Sequence, residues 1–255
     1  MINLIIKFTR SVILLFVFGL FGFGALFIRF VVFPIQNIFI KKSENKKYKF
    51  LETIQKSWIF IIWFLKFFKI IEVEINELEK LKNLKNKIIV STHPSFIDIV
   101  LLMSIIPHST CFVADKLAKN PFFRGLVDLL FVLKTQDYDK WLNESCNFLN
   151  NDINIIIFPM GSRHKINEKP KIRRGTALLA LKSMKDIVIL NTRTNFDFLQ
   201  KNQPIYQAGL KPVKFTISYI KQINTKDFIN KYPDEVTFKT ELTKTIFNII
   251  YVNLN

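Results

Sequence analysis

Hydrophobic residues dominate the start of the chain, and shorter apolar runs separated by polar segments follow. The stretch Ser11–Ile28 contains no charged residue. As a helix it would be roughly 27 Å long at about 1.5 Å per residue, close to the thickness of a bilayer's hydrocarbon core. Basic residues lie on both sides of it, so the positive-inside rule gives no clear orientation. The pattern predicts membrane attachment, either by a transmembrane helix or by an interfacial helical pair with both ends in the cytoplasm.

A second apolar segment, residues 57–71, follows a charged stretch at 41–56. It is too short to span a bilayer. Trp58 and Trp63 fit an interfacial helix, whereas a helix buried in the following domain would be equally apolar. We therefore predict N-terminal membrane-anchoring helices with a basic linker over residues 1–70.

From residue 71 onward, strand and helix patterns alternate, which predicts an α/β domain over residues 71–255. Such alternation is typical of a mixed, mostly parallel sheet flanked by helices. The strands are predicted at 71–75, 87–92, 111–115, 131–135, 154–158, 187–192 and 213–220, and the helices at 94–106, beyond 121, and at 141–151, 176–184 and 234–250.

The charge of the chain narrows the class of partner. Lysine and arginine number 37 against 20 aspartate and glutamate residues, for a net charge of +17, and there are 27 phenylalanines. A phospholipid surface is both oily and anionic, and so accounts for both features. Nucleic acid is a poor fit, because the basic residues are scattered and no reader motif is visible. Two cysteines without C-x-x-C spacing give no reason to expect a metal site.

The clearest candidate chemistry lies directly after the strand at 87–92, in the sequence S-T-H-P-S-F-I-D. Ser95 and Asp98 have the spacing of a helix capping box, which would explain Asp98 structurally. The same turn would present His93 at the carboxyl edge of the sheet, where open α/β sheets bind ligands. Asp98 could then fix the tautomer of His93 as a general base. No G-x-S-x-G motif is present, so the nucleophile is more naturally a hydroxyl of the substrate.

Four ordered blocks resemble the membrane-bound lysophospholipid acyltransferases, the group that includes 1-acylglycerol-3-phosphate acyltransferase. STHPSFIDIVLL is similar to the family's N-H-x-S-x-x-D block, and NPFFRGLVDLLFVLK to its second block. IIIFPMGSR resembles F-P-E-G-T-R, and IRRGTALLAL resembles the K/R-x-G-A-A-x-L-A segment that follows. The resemblance covers roughly residues 70–220.

This resemblance implies a reaction and a set of site residues. His93, supported by Asp98, would deprotonate the acceptor hydroxyl, which attacks the thioester of acyl-CoA or acyl carrier protein. Arg163 would bind the phosphate of the acceptor. The acyl thioester is a co-substrate, and no cofactor or metal is implied. Further substrate contacts are expected from Gly161, Ser162, Lys134 and Lys116.

Several positions depart from the family pattern. Met160 occupies the usual place of the glutamate in the third block. Lys134 stands where the second block often has arginine, and Ala114 stands where a lysine is common, with Lys116 or Lys119 as possible substitutes. These differences leave the identity of the acceptor open.

The predicted protein is a membrane-bound O-acyltransferase of phospholipid biosynthesis, with residues 71–255 as its catalytic domain. Its simplest reaction would convert 1-acylglycerol-3-phosphate to phosphatidate, at the inner cell membrane with the catalytic domain facing the cytoplasm. Two alternatives stay open: acylation of another lyso-lipid or specialised lipid, and a catalytically inactive lipid-binding protein.

Overall fold

A seven-stranded sheet flanked by helices forms the centre of the computed structural model, which describes residues 1–40, 45–114, 119, 124–134, 137–161, 163 and 172–252. The side chains of residues 114 and 134 are outside this description. The strands are β1 (Ile71–Ile75), β2 (Ile88–Ser91), β3 (Ser109–Ala114), β4 (Val132–Lys134), β5 (Asn154–Ile157), β6 (Ile187–Thr194) and β7 (Val213–Ile223). The helices are α1 (Ile2–Phe27), α2 (Phe33–Phe39), α3 (Lys46–Phe67), α4 (Leu78–Lys82), α5 (Ile97–Ile105), α6 (Arg124–Leu130), α7 (Tyr138–Asn150), α8 (Gly175–Ser183), α9 (Thr225–Lys231) and α10 (Glu235–Val252).

The strand order is β1-β7-β6-β2-β5-β3-β4. Every neighbouring pair is parallel except β6 and β7, which are antiparallel. Strands β2 and β5 are buried along their whole length, as expected for central parallel strands covered on both faces. The predicted mixed, mostly parallel α/β sheet is therefore confirmed.

Among the strands, β6 and β7 differ most from their predicted bounds. Both strands continue beyond their predicted ends, because they pair along their lengths from Ile187–Ile223 to Thr194–Phe215. The polar residues Lys221 and Gln222 belong to this ladder. Backbone pairing with β6 keeps them in the strand, although the apolar pattern of the sequence does not predict a strand there. The short helices α4 and α9 were not predicted either.

The N-terminal segment is one continuous helix over Ile2–Phe39, in which a π-helical turn at Ile28–Val32 joins α1 to α2. It is long and apolar enough to cross a membrane, judged by length and composition. Most of its large side chains are exposed, and Phe23 reaches 76% exposure. This surface supports membrane association, since monomeric soluble proteins rarely expose such large apolar patches.

Helix α3 combines the two interpretations left open for residues 57–71. One face is buried in the core, with Leu51, Ile61 and Leu65 as members. The opposite face exposes Trp63 and Phe67 at 55% and 66%. The segment is thus an amphipathic helix that packs on the α/β domain and presents aromatic side chains outward.

Helix α1 is attached to the α/β domain at two places. The guanidinium of Arg10 donates hydrogen bonds to the carbonyl oxygens of Lys69, Gly209 and Lys211 at 2.7, 2.8 and 2.9 Å. Two turns further along, Phe18 and Phe21 contact the ring of Phe96, with centroids 5.8 and 6.2 Å apart. Because Phe96 lies within the S-T-H-P-S-F-I-D turn, the N-terminal helix packs directly against the turn that carries the candidate catalytic residues.

Candidate active site

His93 and Asp98 are in direct contact at the end of β2. The Nδ1 atom of His93 lies 2.8 Å from Oδ1 and 3.0 Å from Oδ2 of Asp98. The carboxyl group is completely buried, whereas part of the imidazole is exposed. A buried carboxylate that accepts the Nδ1–H leaves Nε2 with its lone pair, which is the form a general base needs.

The capping interpretation of Asp98 holds in part. The N-cap residue of α5 is Phe96, without a side-chain cap hydrogen bond, whereas the capping box predicts Ser95. The backbone N–H of Ser95 donates to Oδ2 of Asp98 at 3.0 Å, and Ser95 Oγ accepts from the N–H of Ile97 at 3.3 Å. Asp98 therefore closes the start of α5 and orients His93 with the same carboxylate. The structural and functional interpretations of this residue are compatible.

The pairing of β2 with β5 brings the F-P-M-G segment to His93. Val90 is the partner of Ile157 in the parallel register. The segments that follow β2 and β5 therefore leave the sheet at the same edge. Phe158 then stacks on the imidazole, with ring centroids 4.0 Å apart and an interplanar angle of 12°. The aromatic ring restricts the imidazole on one face while Asp98 holds its edge.

Gly161 ends the turn that follows Phe158. Its φ of +76° lies in the left-handed region that favours glycine. A Cβ at this position would also lie 3.1 Å from Nε of Arg173. Ser162 lies outside the described residues. The glycine of this block thus allows both a tight turn and the close approach of an arginine.

Met160 is half-buried and packs against the hydrophobic core. Among the described residues, it is not one of those that line the cleft beside His93. The side chain that replaces the family's glutamate therefore contributes apolar packing to the turn.

Arg163 lies on the Asp98 side of His93. Its Nη1 donates to the carbonyl oxygens of Leu199 and Gln200 at 2.7 and 3.3 Å. Burial lowers the pKa of Arg163, and the negative charge of Asp98 opposes this change. The guanidinium carbon also lies 5.8 Å from the ring centroid of Phe96. Arg163 is thus near the candidate base, but part of its hydrogen-bonding capacity holds a neighbouring loop.

Gln200 connects that loop to the His93 turn. Its Nε2 donates to the carbonyl oxygen of Pro94 at 2.8 Å, and its side chain is buried. No local motif marks this residue, because its role depends on a loop far along the chain. Sequence reasoning therefore missed it.

The two predicted lysines cannot be placed as side chains. Lys134 ends β4 and pairs with Ala114 of β3, at the carboxyl edge of the parallel strands. Its side chain and the whole of Lys116 lie outside the described part of the chain. Their predicted roles in substrate binding stay predictions.

A cleft of about 480 Å³ opens beside His93. Aromatic side chains form part of its wall, and a basic pair that precedes α8 forms another part. The lining residues that the sequence did not assign to the site include Phe112, Tyr138, Trp141, Arg173, Arg174 and Thr176. The last three belong to the IRRGTALLAL block, whose resemblance to the family segment was the available signal. No three His, Cys, Asp or Glu side chains within the described ranges lie together as metal ligands would.

Comparisons with known proteins agree with this arrangement. The family model described as Acyltransferase matches residues 72–195. The crystal structure of the 1-acyl-sn-glycerophosphate (LPA) acyltransferase PlsC from Thermotoga maritima is similar in fold, with a TM-score of 0.73. The two chains share 16% sequence identity, over 99% of this chain and 96% of that one. No curated protein sequence matches the chain.

These findings support one class of protein. Residues 72–195 match the acyltransferase family model, and this match supports an acyltransferase activity of the chain. The match includes the H-P-S-F-I-D turn, the F-P-M-G segment and the basic pair before α8. The match and the shared fold agree with the resemblance found in the sequence.

Proposed function

We propose that this enzyme transfers a fatty acyl group from acyl-CoA or acyl carrier protein to the free hydroxyl of a lysophospholipid. The simplest acceptor is 1-acylglycerol-3-phosphate, and the product is then phosphatidate. The observation that carries the proposal is the contact between His93 Nδ1 and the buried Asp98 carboxylate, beside a cleft at the carboxyl edge of the sheet. A lipid-binding protein without activity would have no need of this pair.

The geometry supports a direct transfer. Nε2 of His93 takes the proton of the acceptor hydroxyl while its oxygen attacks the thioester carbonyl carbon. The tetrahedral intermediate collapses, the C–S bond breaks, and the imidazolium returns the proton to the leaving sulfur. Asp98 stabilises the positive imidazolium during this step without accepting its proton.

The test is an assay of purified full-length protein with labelled acyl-CoA or acyl carrier protein and a panel of lyso-lipids. His93→Ala should slow transfer by about 10²–10⁴-fold. His93→Gln, which preserves bulk and polarity without a titratable nitrogen, is the matched control for packing and should be equally inactive. Near-full transfer by either variant would rule out this mechanism.

The acceptor is tested at Arg163 and Met160. If the acceptor carries a phosphate, Arg163→Ala should raise its KM strongly and leave the KM of the acyl donor nearly unchanged, because a charge-assisted fork is lost. Arg163→Lys retains the charge without the fork and should give an intermediate KM. Met160→Glu should shift activity toward lysophosphatidate, and Met160→Gln is the uncharged control. Acylation of another lyso-lipid, without any phosphatidate synthesis, would overturn the acceptor assignment alone.

We also propose that the enzyme works at the inner cell membrane with its catalytic domain facing the cytoplasm. An interfacial arrangement of α1 is favoured, because Arg10, Phe18 and Phe21 all contact the α/β domain. A helix leaving the domain to cross the bilayer would lose these contacts. Deletion of residues 1–35 should weaken binding to anionic vesicles. Release of the full-length protein by carbonate would support the interfacial arrangement, and retention would support a span.

A further inference from the structure

The N-terminus of α8 lies in the same cleft as His93. Arg173, Arg174, Gly175 and Thr176 all line this cleft together with His93. The first N–H groups of a helix have no acceptor within the helix, and they carry partial positive charge. Two arginines and a helix N-terminus therefore give this end a positive potential.

The position of Arg173 is fixed by the turn that follows β5. Its backbone N–H donates to the carbonyl oxygen of Pro159 at 3.1 Å. Its guanidinium lies over Gly161, where a Cβ would be 3.1 Å from Nε and 3.2 Å from Cζ. Because residue 161 has no side chain, the guanidinium of Arg173 can lie beside the candidate catalytic turn.

Among the described residues, no acidic side chain is paired with Arg173 or Arg174. Both side chains are exposed. An arginine guanidinium presents its donors as a rigid fork that matches phosphate oxygens. The pair is therefore available to an anionic group that enters the cleft.

Thr176 supplies an independent observation. This residue is only 3% exposed, and its Oγ1 has no hydrogen-bond partner among the described residues. Buried hydroxyl groups are normally satisfied, and leaving one unpaired costs free energy. Because Thr176 lines the cleft, a bound acceptor atom would remove this cost.

We propose that Arg173, Arg174 and Thr176 form a phosphate-binding subsite at the N-terminus of α8. It is distinct from the Arg163 position, which lies on the Phe96 side of His93. Two substrates could bring the phosphate: the lysophosphatidate acceptor, or the phosphopantetheine arm shared by acyl-CoA and acyl carrier protein. The assignment of the phosphate to the acceptor or to the acyl donor rests on the proposed function. The binding of a phosphate group at this subsite does not.

The experiment measures binding and turnover separately on the full-length protein. The binding probes are two pairs of compounds, lysophosphatidate against monoacylglycerol and phosphopantetheine against pantetheine, titrated calorimetrically. The double variant Arg173→Gln/Arg174→Gln should weaken binding of one phosphate-bearing probe by about 10–100-fold. Its phosphate-free counterpart should be unaffected. Lys182→Gln is the matched control, because it removes a cation from the last turn of the same helix.

Each outcome has a defined meaning. A raised KM and Kd for lysophosphatidate assigns the subsite to the acceptor, and a raised KM and Kd for the phosphopantetheine substrate assigns it to the donor. If the double variant behaves like Lys182→Gln with both pairs of probes, the subsite is overturned. If the unmodified protein acylates no lyso-lipid, the proposed function fails, yet the binding comparison still decides the subsite.

Thr176→Val separates ligand binding from a structural role. Removal of an unpaired hydroxyl should leave Tm unchanged or raise it, while binding of the phosphate-bearing probe weakens severalfold. Thr176→Ser, which keeps the hydroxyl, should restore that binding. A lowered Tm with unchanged affinity would show that the hydroxyl is structural, and would overturn its place in the subsite.

Discussion

The imidazole of His93 stacks on the phenyl ring of Phe158, with centroids 4.0 Å apart. This contact joins two of the sequence blocks that resemble the acyltransferases, one after β2 and one after β5. Asp98 holds the edge of the same imidazole through Nδ1. The candidate base is therefore restrained from two directions, by a local hydrogen bond and by a stacking contact between neighbouring strands.

The stacking contact is tested by Phe158→Leu. Aromatic pairs contribute about 0.5–1.5 kcal/mol beyond burial of area, so loss of the ring should lower kcat by about 2–10-fold. Phe158→Tyr retains the ring and should stay within a factor of about two of the unmodified enzyme. Steady-state kinetics check both. Equal kcat values for the leucine variant and the unmodified enzyme would contradict a positioning role.

Variants of Asp98 and Ser95 distinguish two roles of this turn, which are orientation of His93 and stabilisation of the start of α5. Asp98→Asn should lower kcat at least about tenfold, because an amide does not stabilise the imidazolium as a carboxylate does. Its effect on stability should be small, because an asparagine oxygen can still accept the hydrogen bond from the Ser95 N–H. Ser95→Ala should lose about 1 kcal/mol of stability while its kcat remains near normal, because Ser95 Oγ accepts from the Ile97 N–H at the start of α5. Melting curves and rate measurements on both variants test this difference. An equal loss of activity in Asp98→Asn and Ser95→Ala would show that the two roles are not separate.

Arg10 is expected to hold α1 on the α/β domain. It donates to three carbonyl groups within 2.9 Å, and a lysine ammonium cannot reproduce that fork. Arg10→Lys should therefore increase hydrogen exchange in α1 while exchange in β2 and β5 stays unchanged. Lys7→Gln, a charge change one turn earlier, serves as the control. Unchanged protection of α1 in Arg10→Lys would show that these contacts do not restrain the helix.

Asp186 should make stability depend on acid pH. Burial favours the neutral carboxyl, but hydrogen bonds from Lys87, Thr225 and Gln222 outweigh burial and hold the pKa below its ordinary value. The carboxylate therefore stabilises the fold above the unfolded pKa of about 3.9, and this contribution is lost as pH falls through the folded pKa.

Asp186→Asn tests this dependence. The variant should be less stable by about 1–2 kcal/mol at neutral pH, and the difference should shrink as pH falls through the folded pKa of Asp186. Denaturant unfolding at several pH values measures the difference. Asp139→Asn, at an exposed position of α7, is the control. A destabilisation that is independent of pH would contradict the contribution of the charge.

The sequence by itself determined the class of fold and the centre of the site. The apolar run at Ile88–Ser91, followed by a capping sequence, specifies a strand, a turn and a helix. The contact between His93 and Asp98 lies within that local unit. It was predictable because the two residues are five positions apart, and only local backbone geometry is needed to join them. The candidate membrane helix likewise followed from one long uncharged segment.

The tertiary structure decided the surroundings of His93. The Phe158 stack depends on β5 being the neighbour of β2, and the Arg163 hydrogen bond to Leu199 depends on the path of a distant loop. The contact of Phe21 with Phe96 depends on how α1 packs beside α3. Hydrophobic periodicity and capping depend on residues within one or two helical turns of each other, so they specify individual helices and strands. The order of the strands and the packing of helices join residues far apart in the chain, and these alone place Arg173, Arg174 and Thr176 in the same cleft as His93.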